Sequence, residues 1–164
     1  MRQSPRRIKM KRPAKILLDS TYLLPVFGIE VEGLTARDLE KLREASLTGE
    51  IQPHALTTCW IEILGKVARE AQRRKIDVTG IAEKAIKSLT ESETIRWIKP
   101  EPEALRLALK LRLLGHRDMI DNLLYATAVT RGMTLLTMDS GLVHFLRKHN
   151  LPEQNIKKHT ELYH

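Results

Sequence analysis

Short apolar runs alternate with stretches of helical periodicity along nearly the whole chain. Ala14–Leu18 is an apolar run that enters Asp19 and reads as a buried strand of the kind found in parallel sheets. Ser20–Gly28 is expected to form a first helix, which Pro25 must kink or shorten. Thr35 and Asp38 have the spacing of a capping box, and Leu39, Leu42 and Leu47 supply the apolar positions of a helix ending near Gly49. Ile51–Leu56 reads as a weak strand. From a cap at Thr57 or Thr58, the set Trp60, Leu64, Val67, Ala68 and Ala71 recurs at helical spacing to about Lys75, with Glu62 on the opposite face.

The second half repeats the alternation. Val78–Leu89 predicts a helix and Thr94–Ile98, bounded by Pro100, a strand. Glu101–Leu114 is strongly helical and stops at Gly115, and after His116 and Arg117 a further helix runs from Asp118 to Arg131, closed by Gly132. The apolar strand Met133–Met138 delivers Asp139, followed by a helix over Leu142–His149 and a weak strand over Asn155–Leu162. Strands alternating with helices imply right-handed crossovers and a three-layer α/β sandwich around a mainly parallel sheet.

Composition keeps this picture within one globular domain. Hydrophobic residues make up 42% and charged residues 29% of 164 positions, and no run approaches the length of a membrane span or a signal peptide, so a cytoplasmic protein is expected. The lone Cys59 has no partner for an internal disulfide and suits a buried structural role. The formal charge of +8 changes the picture only locally. Seven of the 28 basic side chains fall within residues 1–15 together with no acidic one, which leaves the remainder close to balance against 20 acidic side chains. Residues 1–13 therefore read as a flexible basic arm and 14–164 as the folded domain. The arm would grip phosphates, or be a solvated tail, or precede a true start at Met10.

The candidate chemistry lies in the acids. Asp19 and Asp139 each follow directly on an apolar strand, and in open α/β sheets the carboxyl ends of strands line the ligand crevice. Carboxylates gathered in one place repel each other and are usually neutralised by a cation; oxygen ligands without cysteine or histidine favour Mg²⁺ or Mn²⁺. In the helix opening at Asp118, positions 118, 121, 122 and 125 share one polar face, opposite Met119, Ile120, Leu123, Leu124 and Thr127. Asp121 is thereby expected to face the crevice, whereas Asp118 is either a ligand or a helix cap. Glu62 by itself reads as the partner of Lys66 on a solvated face. Lys66, Arg69 and Arg73 form a stripe along that helix, either a phosphate track or ordinary surface. His116 and His144 are read as surface or helix-end histidines, because a carboxylate site needs no imidazole.

Taken in order, Ile-Leu-Leu-Asp19-Ser, Trp-Ile-Glu62-Ile-Leu, Ile-Asp121-Asn-Leu-Leu-Tyr-Ala-Thr-Ala and Leu-Leu-Thr137-Met-Asp139 resemble the PIN-domain family over about residues 14–162. The resemblance implies a flavodoxin-like sheet of order 3-2-1-4-5, a Mg²⁺ or Mn²⁺ site and cleavage of phosphodiester bonds in single-stranded RNA. It carries Asp19, Glu62, Asp121 and Asp139 over as the acidic site, with Ser20 and Thr137 as hydroxyl neighbours. Within the family, a chain of this size is similar to a VapC-type toxin, often a homodimer, neutralised by a small antitoxin. The alternatives are an RNA-processing nuclease without an antitoxin and a catalytically silent module that binds RNA or protein. A haloacid-dehalogenase-type phosphatase would want a second Asp where Thr21 stands, and the acidic pair of a receiver domain is missing.

Overall fold

The structure, a computed structural model, describes residues 11–163. Five strands, β1 (Ala14–Leu18), β2 (Ile51–Leu56), β3 (Arg96–Ile98), β4 (Thr134–Leu136) and β5 (Ile156–Lys157), form one sheet in the order β3-β2-β1-β4-β5, parallel throughout. Helices α1 (Ala36–Leu47), α2 (Cys59–Arg74), α3 (Thr79–Thr90), α4 (Pro102–Leu113), α5 (Met119–Arg131) and α6 (Ser140–Lys148) flank it. The expected sandwich and strand order are both present. Residues 1–10, most of the expected arm, lie outside the described residues, and Lys11–Pro13 are exposed without regular structure. Among the described residues no helix is long and apolar enough to cross a membrane.

β1 is central because its Ile16, Leu17 and Leu18 are all buried, a continuous apolar run that only an inner strand of a covered parallel sheet accommodates. It pairs with β2 from Ala14 opposite Ile51 and with β4 from Ile16 opposite Thr134. After β1 the chain adds β2 and β3 on one side, then returns to place β4 and β5 on the other. The strand order therefore reverses between β1 and β4, which is where open α/β sheets form their ligand crevice.

Three local expectations are corrected. Ser20–Gly28 is not one helix but two 3-10 turns, Ser20–Tyr22 and Leu24–Phe27, with Pro25 in the first turn of the second and Gly28 left-handed at φ 74°. Proline has no N–H to give the preceding turn and its ring crowds the carbonyl four residues back, and here the helix breaks rather than kinks. In α2 the buried positions are Cys59, Ile63 and Val67, while Leu64 and Ala68 are exposed; the expected apolar face is turned by roughly 100° from the true one. The helix α5 is buried nearly all round, from Asp121 and Asn122 through Leu124–Ala128, with Met119 exposed, so it has no simple polar and apolar sides. Its Ala126 packs with Ala104 and Ala108 of α4, small residues that allow the two helices to approach closely.

Candidate active site

Asp19 leaves the carboxyl end of β1, and its own N–H still donates to the Leu136 carbonyl of β4 at 3.1 Å, fixing it at the switch point. On the β4 side Thr137 binds the two strand ends together. Its hydroxyl donates to Asp19 Oδ2 at 2.9 Å and accepts the Asp139 N–H at 3.1 Å. Asp139 in turn caps α6, Oδ1 accepting the Gly141 N–H at 2.7 Å; a β-carbon at position 141 would lie only 3.0 Å from that oxygen, so glycine leaves room for the cap.

Two further acids arrive on helix N-termini. Asp121 lies in the first turn of α5, is buried, and stands close enough to Asp139 for the two carboxyls to shift each other's pKa. Glu62 lies in the first turn of α2, half-buried, close enough to raise the pKa of Asp19. Asp118 is the N-cap of α5, its Oδ1 accepting the N–H groups of Ile120 at 2.9 Å and Asp121 at 3.0 Å, and it is exposed.

The electrostatics show how poorly these negative groups are compensated. Burial, then the charge of Glu62, pushes Asp19 above the ordinary carboxylate range despite the bond from Thr137. Burial, the adjoining carboxyl of Asp139 and the charges of Asp118 and Asp19 push Asp121 up to about 9. Asp139 is pulled the other way: burial would raise it, but the adjoining carboxyl of Asp121 and the N–H groups of Gly141 and Leu142 win, so the pair shares one proton held on Asp121. Glu62 Oε2 is buried without a hydrogen-bond partner.

Among the described residues, Lys66 answers this charge. Lys66 Nζ lies 2.5 Å from Glu62 Oε1 and donates to Ser20 Oγ at 3.3 Å. The pair expected on a solvated face is instead turned into the crevice, because the buried stripe of α2 runs through Ile63 and brings positions 62 and 66 to its flank. The spacing of Cys59, Ile63 and Val67 is the sequence signal for the buried stripe that turns this pair inward. The basic stripe that includes Lys66 is largely taken up within the helix: Arg73 binds Glu70, leaving Arg69. His116, expected as a surface or helix-end histidine, is instead half-buried against α5. Its Nδ1 lies 2.7 Å from Oδ1 of the buried Asn122.

The acids share a neighbourhood without closing on a point. Among the described residues, no three acidic, histidine or cysteine side chains form a ready-made metal cage. The donor set nevertheless suits a hard divalent cation. All donors are oxygens, one of them buried and unpartnered, and two carboxyls are held above their ordinary pKa by burial and mutual repulsion.

Solved structures reproduce the arrangement of the chain. PAE2754 from Pyrobaculum aerophilum superposes with a TM-score of 0.59 at 18% identity, covering 92% of this chain and 94% of that one. A toxin-antitoxin complex from Klebsiella pneumoniae gives 0.56 at 14% identity, covering 88% and 97%. The chain has a PIN-like fold. A Mycobacterium tuberculosis protein described as VapC20, a sarcin-ricin loop cleaving toxin, superposes less closely at 0.49 with 15% identity, covering 79% and 93%. No family model and no curated protein matches the sequence at a significant level. In this PIN-like fold Asp19 and Asp139 leave neighbouring strands at the sheet's switch point, with Ser20 and Thr137 beside them, and Glu62 and Asp121 stand in the first turns of α2 and α5.

Proposed function

We propose that the chain is a metal-dependent endoribonuclease that hydrolyses phosphodiester bonds of single-stranded RNA. The observation that carries this reading is the gathering of Asp19, Glu62, Asp121 and Asp139 at the switch point with Lys66 as their close internal counter-charge. Asp19, Asp121, Asp139 and Glu62 would hold one or two Mg²⁺ or Mn²⁺ ions, with Asp118 retained as the cap that aims the first turn of α5. A bound divalent ion supplies phosphate polarisation and a water of lowered pKa. The chain's own contribution is positional. Thr137 fixes Asp19 against Asp139, and Ser20 anchors the ammonium of Lys66 where a phosphate would approach.

The Klebsiella protein is part of a toxin-antitoxin complex, which supports a toxin role for this chain too, acting in the cytoplasm as a homodimer and silenced by a small antitoxin. The test is incubation of the purified full chain with mixed single-stranded RNAs in Mg²⁺, Mn²⁺ or EDTA. Cleavage should require the metal and should fall by a factor of about 100 or more in Asp19→Asn, consistent with loss of several kcal/mol of transition-state stabilisation. Full activity in excess EDTA would sink the reading.

A further inference from the structure

A groove of about 760 Å³ begins at Asp139 and runs between α6 and the segment β5 to Glu161. Its α6 wall carries His144 and Arg147, and its opposite wall carries Lys157 and Lys158. We propose that this groove is the track for the RNA backbone on one side of the cut, with Lys157 and Lys158 holding phosphates. The inference rests on the nuclease reading of the acid site at its head.

The charges inside the groove separate into paired and available groups. Glu153 is taken by Arg147, whose Nε lies 2.8 Å from Oε2, and this pair bridges from the end of α6 to the chain leading into β5. Glu161 accepts the Lys158 backbone N–H at 2.6 Å, which leaves that lysine's ammonium outside the bond. What remains is two exposed ammonium groups and an exposed histidine, adjacent to the carboxylates but not paired with them. Only Val143 and Ile156 among its lining residues are hydrophobic side chains, and the lysines spaced along the wall opposite α6 suit a phosphodiester chain.

Length agrees with that assignment. Asp139, Val143 and Arg147 follow at i, i+4 and i+8 on one face of α6, so the groove extends about 12 Å along the helix at 1.5 Å per residue. At ~3.4 Å per stacked nucleotide or more, that holds no more than about three nucleotides before the Arg147–Glu153 pair.

The experiment measures binding of a labelled single-stranded RNA to the full chain over a range of salt, with Ca²⁺ in place of Mg²⁺ or Mn²⁺. Lys157→Ala with Lys158→Ala should flatten the log-affinity against log-salt slope by about 1.4, about 0.7 for each phosphate no longer neutralised. Lys110→Ala with Arg112→Ala on α4 should leave it unchanged. An unaltered slope and affinity in the groove variant, or no RNA binding by the wild-type chain, would overturn the track. The two readings fail separately. RNA cut by a groove variant that binds like wild type removes the track and keeps the nuclease; a flattened slope in a protein that no metal activates keeps the track and removes the nuclease.

Discussion

Asp121 holds its proton in the folded chain up to about pH 9, against 3.8 for an ordinary aspartate, because burial and three neighbouring acids oppose its charge. The unfolded chain loses that proton near pH 4. Stability from this group is therefore fully present below about pH 4 and is lost progressively as pH rises through about 9. Asp139 is shifted the opposite way, but the pair still keeps one proton that the unfolded chain has released at neutral pH. Metal-free protein should thus melt at falling temperature from about pH 5 to 9 in EDTA, and Asp121→Asn should flatten that decline. A pH-independent melting curve in the wild-type chain would contradict the shared proton. Lys66 gives a second prediction at this scale. Its ammonium competes with any divalent ion for Glu62, so Lys66→Met should bind Mn²⁺ several-fold to about tenfold more tightly by calorimetry while melting lower in EDTA. Unchanged Mn²⁺ affinity would show that Lys66 does not share the metal's place.

At this scale the strand-end acids were legible and the helix acids only partly so. Asp19 follows directly on the apolar run of β1, and Asp139 follows β4 after Thr137 and Met138, so both leave the carboxyl end of the parallel sheet, where the crevice lies. Glu62 was harder, because α2 carries two competing apolar stripes. Ile61 is 73% exposed and Leu64 is 45% exposed, whereas Ile63 is fully buried. Residue type alone does not say which stripe the sheet will cover. The Glu62–Lys66 pair was legible from its spacing, but its place in the crevice was not: the second partner of Lys66, Ser20, lies 46 positions away and becomes a neighbour only when β1 and α2 are assembled.

Among the elements, the turns after Asp19 are held by the far end of the chain. Tyr22 Oη lies 3.0 Å from His159 Nδ1 and accepts the His159 backbone N–H at 3.3 Å, joining the first 3-10 turn to the turn at His159–Glu161. Both residues are buried, so removing the hydroxyl leaves a buried N–H without its acceptor. Tyr22→Phe should cost about 1–2 kcal/mol in chemical denaturation. It should leave the metal site intact, and a loss below about 0.3 kcal/mol would mean that solvent replaces the bond. Sequence periodicity does not reveal this link, because the expected weak strand over Asn155–Leu162 is only Ile156–Lys157 before the chain turns back toward Tyr22. Pro25 marks the helix before it as interrupted; what periodicity does not encode is that two 3-10 turns replace it.

Across the whole molecule, the alternation of strands and helices determined more than any single motif. It specified a parallel sheet, and the return of β4 to the other side of β1 created the switch point that collects Asp19, Thr137 and Asp139 from distant parts of the chain. The helices then bring Glu62 and Asp121 to the same place through their first turns. Such a site stores unfavourable charge, and under the proposed function one bound ion would connect fold stability to catalysis. The most direct measurement is therefore the rate of single-stranded RNA cleavage by the full chain as Mn²⁺ is titrated, with Mn²⁺ occupancy read by electron paramagnetic resonance on the same samples. A nuclease built on these acids should show no cleavage without metal, a rate that rises in step with occupancy, and loss of both in Asp19→Asn. Cleavage that proceeds at full rate before any Mn²⁺ is bound, or that survives in Asp19→Asn, would contradict it.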